Sequence, residues 1–134
     1  MSSDAEAELV SNGRLWTGGI LTGIVVLFLA VDGTAKLFHP APVVEASEKL
    51  GLSSNATLGI GVVLIACTAV YSIPRTAVLG AILLTGYLGG AAAIHVRARS
   101  GAFPVAFSIA FAVLAWVGLV LREPRLFWTI LLRR

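Results

Sequence analysis

The sequence predicts an all-α protein: an integral membrane four-helix bundle, with a short interfacial helix in the first extracytoplasmic connection and an amphipathic C-terminal tail. Three observations predict it. Of the 134 residues, 57% are hydrophobic and only 13% charged, roughly half the charge of an average soluble domain, and the mean hydropathy is +0.92. Four apolar runs approach the roughly 20 residues that cross about 30 Å of hydrocarbon, and each is bounded by charge, proline or glycine. Small residues recur at four-residue steps inside these runs, the spacing that lets helices approach closely in lipid, where apolar burial alone offers no drive. Four spans and their connections use up nearly the whole chain, so no soluble catalytic domain remains to be placed.

Residues 1–13 carry Asp4, Glu6 and Glu8, with Leu9 and Val10 as the larger apolar side chains, and read as a mobile polar tail. The transmembrane domain occupies 14–122, with spans at about 15–38, 57–73, 76–96 and 103–121. The first span starts at Arg14 and Trp16, carries Gly19 and Gly23 for close packing, and ends its apolar stretch at Val31. Asp32 and Lys36 follow, four residues apart and therefore on one helix face within ion-pair reach. His39-Pro40-Ala41-Pro42 stops this helix. In VVEASEKLG, Val43, Val44 and Leu50 oppose Glu45, Glu48 and Lys49, which predicts a short interfacial helix ended by Gly51. Ser53, Ser54 and Asn55 are good N-caps for the second span, which is short for a crossing. Pro74-Arg75 leaves almost no loop, so the second and third spans form a tight antiparallel hairpin.

The third span, PRTAVLGAILLTGYLGGAAAIHVR, is the element the chain is organised around. Ala81, Thr85, Gly89 and Ala93 step by four, and Gly86 with Gly90 forms a second row, so Gly86, Gly89, Gly90 and Ala93 are the expected helix-packing residues. A basic link, Arg97 to Gly101, leads to the fourth span, with Pro104 in its permissive first turn and Trp116 late in the run. Residues 123–134, EPRLFWTILLRR, place Leu126, Phe127, Trp128, Ile130 and Leu131 between Arg125 and Arg133-Arg134, an interfacial anchor too short to cross again. Leu21-Thr22-Gly23 matches Leu84-Thr85-Gly86 at an offset that aligns Asp32 with His95, a faint sign of a duplicated hairpin.

The net charge is +3, yet the basic residues sit at the ends of apolar runs. That is the placement of topology and headgroup anchors, not of a nucleic-acid surface. Arg14, Arg75, Arg122, Arg125, Arg133 and Arg134 fall on one side of a four-span chain, and Lys36, Lys49, Arg97 and Arg99 on the other. The positive-inside rule then puts both termini in the cytoplasm and the chain in the cytoplasmic membrane as a multi-pass protein. Cys67 is the only cysteine, which excludes an intrachain disulfide, a redox pair or a cysteine metal cluster.

Candidate functional residues gather at the outer end: Asp32, Lys36, His95 and Arg97, with Tyr87 deeper in the third span. A carboxylate near the hydrocarbon pairs or protonates. Asp32 is thus either a proton-active or ligand-pairing group, or half of an interfacial pair with Lys36. His95 can carry a proton near neutral pH or hold a structural hydrogen bond. Arg97 suits lipid phosphate or an acidic partner, and mid-span Tyr87 can donate to a quinone-like carbonyl but needs a buried acceptor. Tyr71 reads as a membrane-belt residue and Cys67 as core packing. His39 and His95 are the only histidines, one in a connection and one in a span, which argues against bis-histidine haem ligation. No metal site is expected.

Two segments carry a resemblance: FLAVDGTAKLFHPAPVVEASEKLG, from Phe28 to Gly51, and YSIPRTAVLGAILLTGYLGGAAAIHVR, from Tyr71 to Arg97. Asp-Gly then Lys-Leu-Phe followed by Pro-Val-Val, with Pro-Arg-Thr-Ala opening a glycine-rich helix that ends His-Val-Arg, resembles the DoxX-like family of small prokaryotic membrane proteins. The match extends over nearly all the chain beyond the N-terminal tail, and its motif positions here are Asp32, Gly33, Lys36, Pro74, Arg75, His95 and Arg97. The resemblance implies a four-helix bundle in the cytoplasmic membrane. The family takes its name from a subunit of an archaeal quinol oxidase or thiosulfate:quinone oxidoreductase, and some relatives accompany membrane complexes that handle thiol and oxidative stress. The broader four-helix relatives that reduce quinones use a cysteine pair, whereas this sequence has Cys67 alone.

The expected function is therefore an accessory subunit of a membrane redox or stress-response complex, thiol- or quinone-linked, with no cofactor of its own and no independent enzymatic activity. A quinone or a bound lipid is the expected ligand, and membrane lipids, a second copy or a membrane complex the expected partners. Two other classes stand beside it: an oligomeric small-ligand or proton-coupled carrier using the Asp32, Lys36, His95 and Arg97 cluster, and a structural lipid-interacting protein.

Overall fold

Four long apolar helices pack side by side in the computed structural model, which describes residues 3–131, with side-chain positions for all of these except 5–10, 127, 128, 130 and 131. The elements are α1 (Ser3–Phe38), α2 (Ala41–Lys49), α3 (Ser54–Ser72), a 3-10 turn at Pro74–Thr76, α4 (Ala77–Arg97), α5 (Ala102–Arg122) and α6 (Pro124–Leu131). Four stretches are long and apolar enough to cross a membrane: Ser11–Phe38, Ser54–Ser72, Pro74–Arg97 and Ala102–Arg122. The protein is a multi-pass membrane protein. α1 packs on α3 and α5, and α4 packs on the same two, so α1 and α4 stand diagonally across the bundle. Ile24, Leu27 and Val31 of α1, Leu79, Ile82 and Leu83 of α4, and Ile109 and Val113 of α5 face outward, as lipid-facing surface does.

The helix boundaries follow local chemistry. Ser53 caps α3, its hydroxyl accepting from the Ala56 N–H at 3.2 Å. Pro40, extended and without an N–H to lose, precedes α2, and its carbonyl accepts from Val43 and Val44. α2 ends in a left-handed Gly51 at φ 75°, whose N–H bonds Glu48 O while Leu52 N–H bonds Ser47 O, a Schellman closure. α4 ends in the same motif, with Arg99 N–H on Val96 O and Ser100 N–H on His95 O, but the left-handed residue is Arg99 at φ 53°. A side chain at that φ costs about 1 kcal/mol that glycine avoids. Arg99→Gly is accordingly expected to stabilise the protein by about 1 kcal/mol, and Gly51→Ala to destabilise it by a similar amount. Denaturant titration in mild detergent would measure both; equal responses would refute the assignment.

The structure corrects the sequence reading at several places. Helix α1 begins at Ser3, ahead of the start near Leu15 expected for the first span. Once a span has nucleated a helix, extension adds a hydrogen bond per residue, and Ala, Glu and Leu favour it. Met1 and Ser2 lie outside the described residues, as do Arg133 and Arg134 of the expected C-terminal anchor. Within that anchor, residues 124–131 form α6, and Leu126 packs against the core.

The larger correction concerns the glycines. Gly86, Gly89, Gly90 and Ala93 are all exposed, and a Cβ on any of the three glycines would meet nothing within 4 Å. α4 instead buries Ala77, Gly80, Ala81, Leu84, Leu88 and Ala92. Gly19 and Gly23 are likewise open, whereas their neighbour Gly18 is a contact. Three close approaches hold the helices. A Cβ on Gly18 would lie 2.9 Å from Gly118 O of α5, one on Gly61 of α3 would lie 3.1 Å from Gly33 O of α1, and one on Gly80 would lie 2.2 Å from Tyr71 Cα. The last is a consequence of the Pro74–Thr76 turn, which brings α3 and α4 into backbone contact.

Two hydrogen bonds add to the packing. Tyr71, read as a belt residue, is 0% exposed, and its hydroxyl donates to Ala115 O of α5 at 2.7 Å. Trp116 Nε1–H donates to Thr85 Oγ1 at 2.7 Å, and the Thr85 hydroxyl donates to Ala81 O. Thr85 is thus one member of the small-residue row that does join two helices.

Candidate functional site

The end of the bundle that carries α2 holds a half-open chamber of about 680 Å³. Its size lies within the roughly 300–1,000 Å³ of small-molecule sites, which are mostly apolar with a few convergent polar groups. Every long helix contributes. α1 supplies Phe28, Leu29, Asp32 and Lys36; α3 supplies Thr57 and Ile60; α4 supplies Gly86, Tyr87, Leu88, Gly90, Ala91, Ile94 and His95; α5 supplies Phe103, Pro104, Phe107, Ser108 and Phe111. α2 and its flank roof the space through Pro42, Val43, Ala46, Ser47, Leu50 and Leu52. No side chain of α2 is fully buried, so the roof is a surface helix laid over the opening.

The open glycines find their place here. Gly86 and Gly90 line the chamber, and the absence of side chains one turn apart on α4 leaves the space that a leucine row would fill. One wall is aromatic: Phe103, Phe107 and Phe111 succeed one another on a single face of α5, their rings 5.8 and 4.7 Å apart. Phe28 from α1 closes against them, 5.4 Å from Phe107 and 4.6 Å from Phe111.

Of the polar lining groups, Asp32, Lys36 and His95 lie toward the α2 end and Tyr87 lies deeper, near the middle of α4. Lys36 Nζ donates to Asp32 Oδ2 one turn back, the i,i+4 pair that the sequence spacing predicts. The ammonium retains further N–H groups, and the pair is part-exposed, with Lys36 at 22% and Asp32 at 39%. Tyr87, half-buried, and His95 complete the set on α4. His95 Nδ1 is buried without a hydrogen-bond partner among the described residues.

Four of the five sequence-predicted site residues, Asp32, Lys36, Tyr87 and His95, therefore share one chamber, although α1 and α4 are diagonal. Arg97 is not among its lining residues and is exposed. The phenylalanine wall, the α2 roof and Ser108 were not foreseen as site residues. The i,i+4 spacing of Phe103, Phe107 and Phe111 was a readable signal, but core packing produces the same spacing. His39 stands outside the chamber. Its ring nitrogens lie 3.2 Å from Leu37 O and 3.1 Å from Ser54 O, tying the end of α1 to the start of α3. Among the described residues, no three of His, Cys, Asp and Glu converge as a metal site, and Cys67 is buried in the core.

No curated protein and no solved structure matches the chain. A model of the DoxX-like family matches residues 20–118, a stretch that contains the whole chamber lining and two of the three glycine crossings, Gly33–Gly61 and Gly80–Tyr71. By that match the chain belongs to the DoxX-like family.

Proposed function

We propose that the protein is a quinone-binding accessory subunit of a membrane redox or stress-response complex, its chamber holding the quinone ring. The observation that carries this reading is an apolar chamber in which Asp32, Lys36, Tyr87 and His95 join a row of phenylalanines. A quinone is a flat ring with carbonyl acceptors and an apolar tail. The residues present fit those needs: Phe28, Phe107 and Phe111 offer ring faces for stacking, and Lys36 and Tyr87 carry donors for the carbonyls. Asp32 holds the Lys36 ammonium in the wall, where an isolated charge would be costly. A bound quinone would supply electron- and proton-carrying capacity, which a chain with one cysteine does not provide through thiol chemistry. The same reading puts the chain in the cytoplasmic membrane with both termini in the cytoplasm, because six of its ten basic residues belong to the segments at that end.

Titration of the purified protein in lipid nanodiscs with a short-tailed benzoquinone, followed by calorimetry, is expected to give saturable binding at one molecule per chain. Lys36→Met, which removes one donor, is expected to weaken binding about tenfold, equivalent to about 1.4 kcal/mol. Absence of saturable binding, together with no quinone extractable from the protein purified from membranes, would refute the proposal.

A further inference from the structure

α1 leans from one neighbour to the other along its length. At Gly18 its backbone meets α5 near Gly118; at Gly33, roughly 22 Å further along, it meets α3 at Gly61. Beyond the first crossing α1 and α5 also meet through large side chains. Phe28 of α1 closes against Phe107 and Phe111 of α5, and Phe103 stands next to Phe107 toward the helix start. All four rings line the chamber, while Phe28, Phe103 and Phe107 are 42, 77 and 36% exposed. Part-exposed rings at the α1–α5 contact form the side-chain wall of a half-open chamber and are not clamped by neighbours on every side. Rotation about χ1 opens such a wall without moving a helix, on the timescale of side-chain flips.

We infer that the seam between α1 and α5 is a lateral portal, through which a lipid-soluble ligand passes between bilayer and chamber and through which its tail stays in the lipid. This deepens the quinone reading and rests on it for the identity of the head. The class of ligand follows from the walls. The α2 side of the chamber is lined mainly by apolar residues of α2 and its flank, among them Val43 and Leu50, which favours an apolar molecule over a hydrophilic one. At the level of the phenyl rings the surrounding surface is lipid-facing, with Leu27, Val31 and Ile109 exposed. A chamber of about 680 Å³ holds a ring and its substituents, so a long isoprenoid or acyl chain must leave it, and the α1–α5 seam offers a wall of part-exposed, rotatable side chains.

The test uses the full chain in nanodiscs whose phospholipids carry bromine at mid-chain, a short-range quencher of tryptophan. Phe107→Trp, and separately Phe28→Trp, is made with Trp16 and Trp128 replaced by phenylalanine, and the emission of Trp116 in that parent is subtracted. The added tryptophan is expected to lose at least half of its emission in brominated lipid; emission equal to that in ordinary lipid, for both reporters, overturns the portal. A decyl-tailed benzoquinone is expected to bind at least tenfold more tightly than the tail-less ring, and Phe28→Ala to speed its association at least threefold. Equal affinities with an unchanged rate would overturn the portal and leave the quinone site standing. Quenching without binding of either quinone would keep the portal and overturn the ligand.

Discussion

Gly80→Ala is expected to destabilise the protein by about 3 kcal/mol or more, the upper range for overpacking a filled site. The added Cβ would fall 2.2 Å from Tyr71 Cα and 2.3 Å from its backbone nitrogen. Those are main-chain atoms, so relief requires parting α3 from α4. Parting them strains the Pro74–Thr76 turn and pulls the Tyr71 hydroxyl from Ala115 O, the bond that ties α3 to α5. Gly86→Ala, six residues along the same helix, meets nothing and is expected to stabilise by about 0.5–1 kcal/mol, as alanine does over glycine in a helix interior. Opposite signs for two chemically identical substitutions are the signature, read by denaturant titration in detergent. Equal shifts would show that the α3–α4 contact is not as close as described.

The second large effect falls on binding. Gly86→Leu and Gly90→Leu each place a branched side chain into the chamber wall, and the double variant is expected to abolish quinone binding in the nanodisc titration, a loss of at least a hundredfold. Stability should hold, because neither Cβ meets an existing atom. Gly89→Leu is the control: it is exposed, lies between the other two in sequence and does not line the chamber, so its affinity should stay within twofold of the parent. If Gly89→Leu weakened binding as much as the others, the ligand would sit on the outer face of α4 and not between the helices.

These two cases show where sequence reading stops. The spans, the Pro74-Arg75 hairpin, the Ser53 cap and the Asp32–Lys36 pair were all legible, because each depends on composition or on spacing within one helix. The roles of individual glycines were not. α4 is apolar on every side, so its sequence carries no stripe to say which face turns inward. Gly80, in no four-residue row, proves to be the tightest contact; Gly86, Gly89 and Gly90, in clear rows, touch nothing in the chain. Tyr71 shows the same blindness in reverse, since proximity to a turn suggested an interface and the packing buries it.

The sequence by itself determined that the chain crosses a membrane with four helices and that its ionisable candidates lie near one end, since bilayer thickness and the cost of charge in hydrocarbon act on segments one at a time. Only the tertiary structure decided which faces meet. Rotation of each apolar helix about its axis is set by shape fit between backbones at Gly18, Gly33, Gly61, Gly80 and Gly118, and that rotation brings Asp32, Lys36, Tyr87 and His95 into one chamber while turning Arg97 away from it.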